Sequence, residues 1–305
     1  MKKISVVLFL VVFSFLSIVC KKDEIKNENK VNNVEESVIY DLAFERDGMI
    51  FVANFQKNIL DSLFEGFNPA LSPDGHYLAF TDYNGGKRHV TIYDFNTKKR
   101  IPINIPNDNN YGPIWSPDGK LIAFNIFYNN NWYIAVANKE NTTIRIITDK
   151  IKRGTYSPSW LSDSKKLLVH DLDYIYLVDL DGNILKKYFV NDIAKDLLVS
   201  SQTRFIMSSD EKKLFFSAGL DEDSDDFDEP PEAIFYYDFN LKKLNRLSPK
   251  GLYCAEIILK NDSILYFYAA KDNEEPFSIY SINIFEKKPI LLVKNGSSLS
   301  VSINR

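Results

Sequence analysis

Four acidic residues in one segment have the spacing of a calcium-binding loop. Asp221, Asp223, Asp225 and Glu232 occupy positions 1, 3, 5 and 12 of an acidic stretch. Calcium takes roughly six to eight oxygen ligands, and carboxylates often supply them. Position 6 holds Asp226 where such loops have glycine, and two prolines precede Glu232. Three interpretations stay open: a calcium site, a solvated and mobile hairpin loop, or an electrostatic contact for a basic partner. No other cofactor is expected.

The other residues with catalytic or metal-binding chemistry are few. The chain has three histidines, His76, His89 and His170, and none of them has zinc-ligand spacing to a second histidine or a cysteine. We expect each histidine at the surface or at a rim of the fold. The sequence has no Gly-x-Ser-x-Gly motif of the kind that carries a hydrolase nucleophile. A non-catalytic role is therefore favoured.

The amino terminus has the organisation of a secretory signal followed by a cysteine. Residues 1–3 are basic at two positions, residues 4–19 are uncharged and apolar, and Cys20 follows. The apolar stretch is shorter than the roughly 20 residues of a membrane-spanning helix. It resembles a bacterial lipoprotein signal, in which the cysteine becomes the lipidated first residue. This predicts a signal peptide over residues 1–19 and a lipidated Cys20 with a disordered tether over residues 20–36. An uncleaved anchor and an ordinary secretory signal are the alternatives.

Charge and cysteine content exclude some classes of partner. The net charge is −4, and it becomes more negative when Lys2 and Lys3 leave with the signal peptide. The sequence has no basic stripe interleaved with aromatics, so a nucleic-acid partner is not expected. Cys254 is the only cysteine after Cys20 and lies in an apolar run. We expect a buried, unreactive thiol and no intramolecular disulfide.

A repeated turn marks the β-strands that would position any functional site. Ser-Pro-Asp-Gly occurs at residues 72–75 and 116–119, each time before an apolar run that ends in Ala-Phe. Weaker copies keep an aspartate, so that aspartates recur every 44 to 52 residues, at Asp74, Asp118, Asp163, Asp210 and Asp262. A period of this length, with strand-like segments, is typical of a β-propeller.

The turn residues themselves have a structural explanation. Proline sets φ at the second turn position, aspartate bonds to nearby backbone, and glycine accepts a positive φ. We assign this structural role to Pro73, Asp74, Gly75, Pro117, Asp118, Gly119 and Asp163.

Each repeat has four short strand-like segments joined by hairpins, which make one antiparallel blade. The five turns open five blades. Residues 38–44, 50–54 and 59–64 supply three strands of a sixth, and residues 298–302 have the register of its missing strand. The sequence therefore predicts an all-β, six-bladed β-propeller over residues 37–305, closed by the C-terminal strand. We expect it to be a monomer.

The best repeat resembles a known one. Residues 113–124 read Pro-x-Trp-Ser-Pro-Asp-Gly-Lys-x-Ile-Ala-Phe, which is similar to the WD40-like repeat of the periplasmic Tol protein B and its relatives. Residues 67–80 match without the tryptophan, and residues 158–163 keep the tryptophan and the aspartate. The resemblance covers roughly residues 37–305 and implies the propeller fold. The same repeat occurs in binding proteins, in prolyl-oligopeptidase-type peptidases and in sugar-active lyases, so it leaves the function open.

These features favour a non-catalytic lipoprotein of the cell envelope that binds an envelope protein or peptide. It would be held on a membrane by its lipid, on the outer membrane rather than the inner, facing the periplasm or the surface. Two alternatives stay open. One is an enzyme or a small-molecule or sugar-binding protein with a metal-assisted site in the central channel; the other is a purely structural component. Carboxylates that converge in the channel would favour the enzyme, and an apolar channel would favour binding.

Overall fold

The computed structural model describes residues 39–105, 107–220, 231–271 and 275–302. The predicted signal peptide, the lipidation site at Cys20 and the tether lie outside the described residues. Asp221, Asp223 and Asp225 also lie outside them. Within these ranges, no helix has the length and apolar character needed to cross a membrane.

The described residues contain 24 strands in six four-stranded antiparallel sheets, which confirms the all-β, six-bladed propeller. We number the blades along the chain. Blade 1 takes β1 (Leu42–Arg46), β2 (Met49–Asn54) and β3 (Ile59–Glu65). Blade 2 consists of β4 (Phe67–Leu71), β5 (Tyr77–Asn84), β6 (Lys87–Asp94) and β7 (Lys99–Pro102). Blade 3 consists of β8 (Asn110–Trp115), β9 (Leu121–Tyr128), β10 (Asn131–Asn138) and β11 (Ile144–Ile146).

The remaining blades repeat this plan. Blade 4 consists of β12 (Tyr156–Trp160), β13 (Lys166–His170), β14 (Tyr174–Asp179) and β15 (Ile184–Phe189), followed by a short helix, α1 (Val190–Ile193). Blade 5 consists of β16 (Ile206–Met207), β17 (Lys213–Gly219), β18 (Glu232–Asp238) and β19 (Lys243–Arg246). Blade 6 consists of β20 (Tyr253–Asn261), β21 (Ile264–Ala270), β22 (Ser278–Asn283) and β23 (Pro289–Val293). The last strand, β24 (Ser297–Val301), belongs to blade 1.

The C-terminal strand closes the ring, as the sequence predicts. β24 pairs antiparallel with β1, with Val301 opposite Leu42 and Ser300 opposite Ala43. Leu299 and Val301 also join the buried cluster around Leu42. The pairing covers an edge of β1 that would otherwise present unpaired backbone groups.

The apolar core lies between neighbouring blades, and β9 shows how one strand serves two of them. Alternate side chains of a strand point to opposite faces of its sheet. Ile122 and Phe124 pack with buried residues of blade 2, whereas Ala123 packs with residues of blade 4 such as Trp160. A blade covered on both faces needs apolar residues at successive positions, which explains the continuous apolar runs of the second strands.

The repeated turn is held by its aspartate. The Asp74 carboxylate accepts hydrogen bonds from the Ser72 hydroxyl at 2.6 Å and the His76 amide at 3.1 Å. Burial acts to raise the pKa of Asp74, but these hydrogen bonds outweigh it and the pKa is lowered. Gly75 completes the turn with φ of +72°. Both bonds recur at Asp118 and Asp210, whereas Asp163, which has Leu161 in place of the serine, keeps only the amide bond, from Lys165 at 2.9 Å.

The last repeat departs from the predicted register. There Asn261, rather than Asp262, accepts the local amide hydrogen bonds, from Ser263 at 2.9 Å and Ile264 at 3.0 Å. The reason is a tighter hairpin, because Asn261 pairs directly with Ile264 and leaves only two residues in the turn. Asp262 instead accepts a hydrogen bond from the Ser209 amide of blade 5 at 2.8 Å.

The prediction that every histidine lies at the surface or at a rim of the fold is wrong for His170. Its side chain is fully buried at the end of β13 and packs edge-on against Phe205, which precedes blade 5. The His170 Nδ1 accepts the amide hydrogen of Leu172 at 3.3 Å. Burial lowers the pKa of His170 to about 4. His76 and His89 are half-buried.

The free cysteine of the propeller is buried, as predicted. Cys254 lies in β20 with no exposed surface and contacts the Leu252 carbonyl oxygen at 3.4 Å. Burial raises the pKa of the Cys254 thiol to about 12. The thiol is therefore protonated at neutral pH and is a poor nucleophile.

Candidate functional site: the channel mouth

We call the strand of each blade that borders the central channel its innermost strand; these strands are β24, β4, β8, β12, β16 and β20 in blades 1 to 6. They end around one cavity of about 380 Å³, which we call the channel mouth. One residue from each blade lines it at the equivalent position, which in blades 2 to 6 immediately precedes the first residue of the repeated turn and in blade 1 lies in β24 opposite Leu42. These six residues are Leu71, Trp115, Trp160, Met207, Leu259 and Val301. All six are apolar, so the fold converts one repeat position into an apolar ring. The volume lies within the range of about 300–1,000 Å³ that is usual for ligand pockets.

The repeated turns form the rim of the channel mouth. Pro73 and Pro117 line it, together with Ser162, Ser209 and Asp262 from the later repeats. Of the turn residues that the sequence identifies as structural, the two prolines therefore also border the cavity. Because turns from five repeats meet here, a ligand in the mouth would contact several blades at once.

The tryptophans of the ring have satisfied polar groups. The Trp115 Nε1–H donates to the Ala70 carbonyl oxygen at 2.9 Å, and the Trp160 Nε1–H donates to the Ile114 carbonyl oxygen at 3.3 Å. Each bond joins a blade to the innermost strand of the preceding blade. Since the indole N–H is bound to the wall, only hydrocarbon of these rings is available to the cavity.

A polar layer lies below the apolar ring. It is formed by the residue four positions before the first turn residue of each repeat, and its members are Asn68, Gly112, Ser157, Arg204, Glu256 and Ser298. Five of them have positive φ, from +37° at Glu256 to +65° at Gly112. The register shifts around these five residues mark β-bulges in the innermost strands.

Side chains of the preceding blade hold three of these bulges. The bulge amides donate across the blade boundary to polar side chains of second strands: Asn68 to Glu45 at 2.5 Å, Gly112 to Thr81 at 3.0 Å and Ser157 to Asn125 at 3.1 Å. The acceptors occupy one repeat position, directly after the buried phenylalanine of the second strand. Polar residues at this position therefore satisfy buried backbone groups.

An ion pair joins blades 5 and 6 in the polar layer. Arg204 Nη1 lies 3.2 Å from Glu256 Oε1, and the two side chains are only 17% and 24% exposed. Burial raises the pKa of Glu256, although Arg204 acts to lower it. Burial likewise raises the pKa of Glu45, against the hydrogen bonds from Asn68 and Ser298. Both carboxylates are bound to partners within the wall of the channel.

The channel mouth itself contains little acid chemistry. Asp262 is its one carboxylate among the described residues, and it already accepts hydrogen bonds from Ser209. Across the described ranges, no three His, Cys, Asp or Glu side chains are grouped as metal ligands would be. By the criterion set from the sequence, this apolar mouth favours a binding site, and the two channel carboxylates with raised pKa values, Glu45 and Glu256, lie in the polar layer below it.

The calcium prediction concerns residues that fall mostly outside the described part of the chain. Of its four proposed ligands, Glu232 alone is described. It is the first residue of β18, is half-buried, and pairs with Gly219 across the sheet. The calcium site therefore stays a prediction.

Trp132, an aromatic residue of β10, packs mainly within the protein. Its ring lies 5.4 Å from that of Tyr111 and 5.1 Å from that of Phe127, centroid to centroid. The Arg88 guanidinium lies 5.7 Å from its centroid. The side chain is half-buried, at the end of the blades opposite to the repeated turns.

Sequence reasoning missed Arg204 and Glu256. The signal is visible in retrospect, because Glu256 is the only charged residue in the apolar run of residues 252–259. Aligning the six repeats on their turns also places Arg204 and Glu256 at one position. What the sequence does not supply is the distance across the blade boundary that makes them an ion pair.

Comparisons with known proteins agree with this architecture. The model of the PD40 family, the TolB β-propeller domain, matches residues 53–229. A protein TolB homolog of Chlorobaculum tepidum is 26% identical over 120 residues, which are 39% of this chain and 25% of that protein. The Tol-Pal system protein TolB of Hydrogenovibrio crunogenus is 32% identical over 95 residues, which are 30% of this chain and 21% of that protein. The matches thus span a quarter or less of these relatives.

A solved structure shows the same fold over most of the chain. The crystal structure of TolB from Acinetobacter baumannii superposes with a TM-score of 0.64 at 16% identity, covering 86% of this chain and 66% of that one. At this identity the likeness concerns the fold alone. The family match extends over more than half of the sequence, and on that basis the chain belongs to the PD40 family of TolB β-propeller domains.

Proposed function

We propose that this protein is a membrane-anchored lipoprotein of the cell envelope whose propeller binds a protein or peptide at the channel mouth, without catalysing a reaction. The observation that carries the proposal is the apolar ring, in which each blade contributes one apolar side chain at the same repeat position. Burial of apolar surface is the main source of affinity in protein association. The exposed rim of turns around the ring supplies the polar border that such interfaces have.

The cellular setting is inferred from the amino terminus and from the relatives. Cys20 follows a short apolar stretch and precedes a charged segment, as in lipoprotein signals. Matched relatives carry the name Tol-Pal system protein TolB, which supports a place in the cell envelope. An acyl chain adds about 0.8 kcal/mol per buried methylene, so more than one chain on Cys20 would hold the protein stably on a membrane.

Capture of partners from intact cells tests the proposal. The tagged protein is crosslinked in its native host and purified, together with two variants that place arginine at exposed serines. Ser162→Arg alters the rim of the channel mouth, and Ser201→Arg is the matched control beyond the opposite end of the innermost strands. We expect an envelope protein that is recovered with the unmodified chain and Ser201→Arg but is lost with Ser162→Arg. Equal recovery with both variants would contradict the proposed site.

The anchor is tested separately. Cys20→Ser removes the thiol that lipidation needs. The variant should fail to incorporate labelled fatty acid and should lose its mature membrane-bound form. Unchanged incorporation would show that Cys20 is not the lipidated residue.

A further inference from the structure

The charged side chains of the channel mouth leave it positive. Arg204 and Lys260 line the mouth together with one acid, Asp262. Asp262 is turned to Ser209, whose amide and hydroxyl both donate to its carboxylate. Glu256, the partner of Arg204, lines the small cavity of about 30 Å³ below and not the mouth. A ligand that enters the mouth therefore meets the guanidinium of Arg204, which is paired with Glu256, below an apolar wall.

Arg204 uses only part of its hydrogen-bonding capacity. Its Nη1 binds Glu256, whereas the buried Nε–H has no hydrogen-bond partner among the described residues. The edge formed by Nε and Nη2 is the one that binds a carboxylate through two parallel hydrogen bonds. A buried donor without an acceptor is unfavourable, so an acceptor delivered by a ligand would be favoured here.

Arg204 is the one basic residue among the six equivalent positions of the polar layer. The equivalent residues of the other blades are small, polar or acidic: Asn68, Gly112, Ser157, Glu256 and Ser298. The polar layer thus carries one cation.

We propose that the channel mouth recognises an apolar carboxylate, with the carboxylate on Arg204 and the apolar group against Trp115, Trp160 and Met207. The proposal rests on the proposed function, since it concerns the same cavity, and it names the chemistry of the ligand. Two sources share that chemistry: the C-terminal residue of a protein partner, when that residue is apolar, and a free fatty acid.

Calorimetry with matched ligand pairs tests the proposal. The full chain is placed in phospholipid nanodiscs, and empty nanodiscs provide the blank. The first pair is the peptide acetyl-Ala-Ala-Leu as the free acid and as the C-terminal amide. The second pair is decanoate and decanol. Each pair differs in the carboxylate and keeps the apolar group, so the ratio of the two affinities measures carboxylate recognition.

We expect the acid of at least one pair to bind about tenfold or more tightly than its neutral partner, as hydrogen bonds to charged groups imply. Preference in the peptide pair identifies a protein C-terminus as the source, and preference in the decanoate pair identifies a fatty acid. The double variant Arg204→Met/Glu256→Gln removes the cation without leaving a buried charge unpaired, and it should abolish the preference. The control Arg153→Met/Asp173→Asn removes an ion pair outside the channel and should retain it.

Three results would overturn the inference: equal affinity for acid and neutral partner, no binding of any ligand at about 1 mM, or a preference that survives in the Arg204 double variant. Failure of the proposed function is distinguishable. If Ser162→Arg blocks capture of a protein partner while the protein binds each acid and its neutral partner equally, the proposed binding site is supported and carboxylate recognition is contradicted.

Discussion

The indole nitrogen of Trp115 in blade 3 donates a hydrogen bond to the carbonyl oxygen of Ala70 in blade 2, at 2.9 Å. The same relationship joins Trp160 to Ile114 one blade further on. The tryptophan of the repeat therefore does two things. It contributes an apolar surface to the channel mouth, and it binds the innermost strand of the preceding blade.

Replacing Trp115 with phenylalanine should destabilise the propeller. The change keeps an aromatic ring but leaves the Ala70 carbonyl oxygen without its donor, which costs roughly 1–3 kcal/mol in the free energy of unfolding. Urea denaturation measures the loss. Trp132→Phe, made outside the apolar ring, is the control and should cost less. Equal losses would show that the bond between blades contributes nothing specific.

The glycines of the two complete turns should respond differently to alanine. Gly75 and Gly119 have nearly the same φ, +72° and +70°, so both substitutions carry the cost of about 1 kcal/mol for a left-handed backbone. A Cβ at Gly75 would also collide with Ile39 and lie 2.9 Å from the Tyr40 carbonyl oxygen. At Gly119 the nearest atom, in Pro73, is 3.6 Å away.

Gly75→Ala should therefore destabilise the protein clearly more than Gly119→Ala. Thermal or urea unfolding of the two variants gives the comparison directly. A larger loss in Gly119→Ala would contradict the packing of the amino-terminal residues against the first turn.

His170 should make stability depend on pH in the acid range. Burial lowers its pKa from 6.5 to about 4, so the neutral form stabilises the folded state. The contribution of neutral His170 to the free energy of unfolding is present above pH 6.5 and is lost as the pH falls towards 4. At pH 5 the free energy of unfolding should be lower by about 2 kcal/mol for this reason. In His170→Asn, which copies Asn125 of blade 3, this part of the pH dependence should disappear.

Urea unfolding at pH 7 and pH 5 tests the effect. His89→Asn replaces a half-buried histidine and should keep the pH dependence of the unmodified protein. If His170→Asn loses as much stability between pH 7 and pH 5 as the unmodified chain, another group is responsible.

Removal of residues 297–305 should prevent stable closure of the ring. The deletion takes β24 away, exposes an edge of β1 and removes Leu299 and Val301 from the core, each worth roughly 1.5–3 kcal/mol. Since domains are stable by only about 5–15 kcal/mol, we expect a large fall in Tm or aggregation. Deletion of residues 303–305 keeps β24 and serves as the comparison. Equal melting of the two truncations would contradict closure.

The sequence predicts the fold well because each blade contains the same short sequence pattern. The Ser-Pro-Asp-Gly turn fixes the first hairpin of a blade, and the period fixes the number of blades. The closing strand follows from counting, since residues 298–302 are the one segment left for blade 1. The predictions fail at two residues whose surroundings are set by contacts that the local sequence does not show. At Asn261 a shorter hairpin moves the turn, and His170 lies at the boundary between two blades.

The site is less predictable because it is assembled from one residue per blade. Met207 and Leu259 belong to repeats that have lost most of the motif, and only alignment of all six repeats shows that they meet Trp115 and Trp160. The pairing of Arg204 with Glu256 depends on a distance between residues 52 positions apart. No local pattern in the chain contains that information.

Site-specific photo-crosslinking in living cells tests the central claim, that the channel mouth is the binding surface. A crosslinking amino acid is placed at Ser162 on the rim of the mouth, at Leu241 in an exposed outer hairpin and at Ser201 beyond the opposite end of the innermost strands. The account predicts a discrete adduct with an envelope protein from Ser162 and none from Ser201 or Leu241. An adduct from Ser201 or Leu241 with none from Ser162 would contradict it.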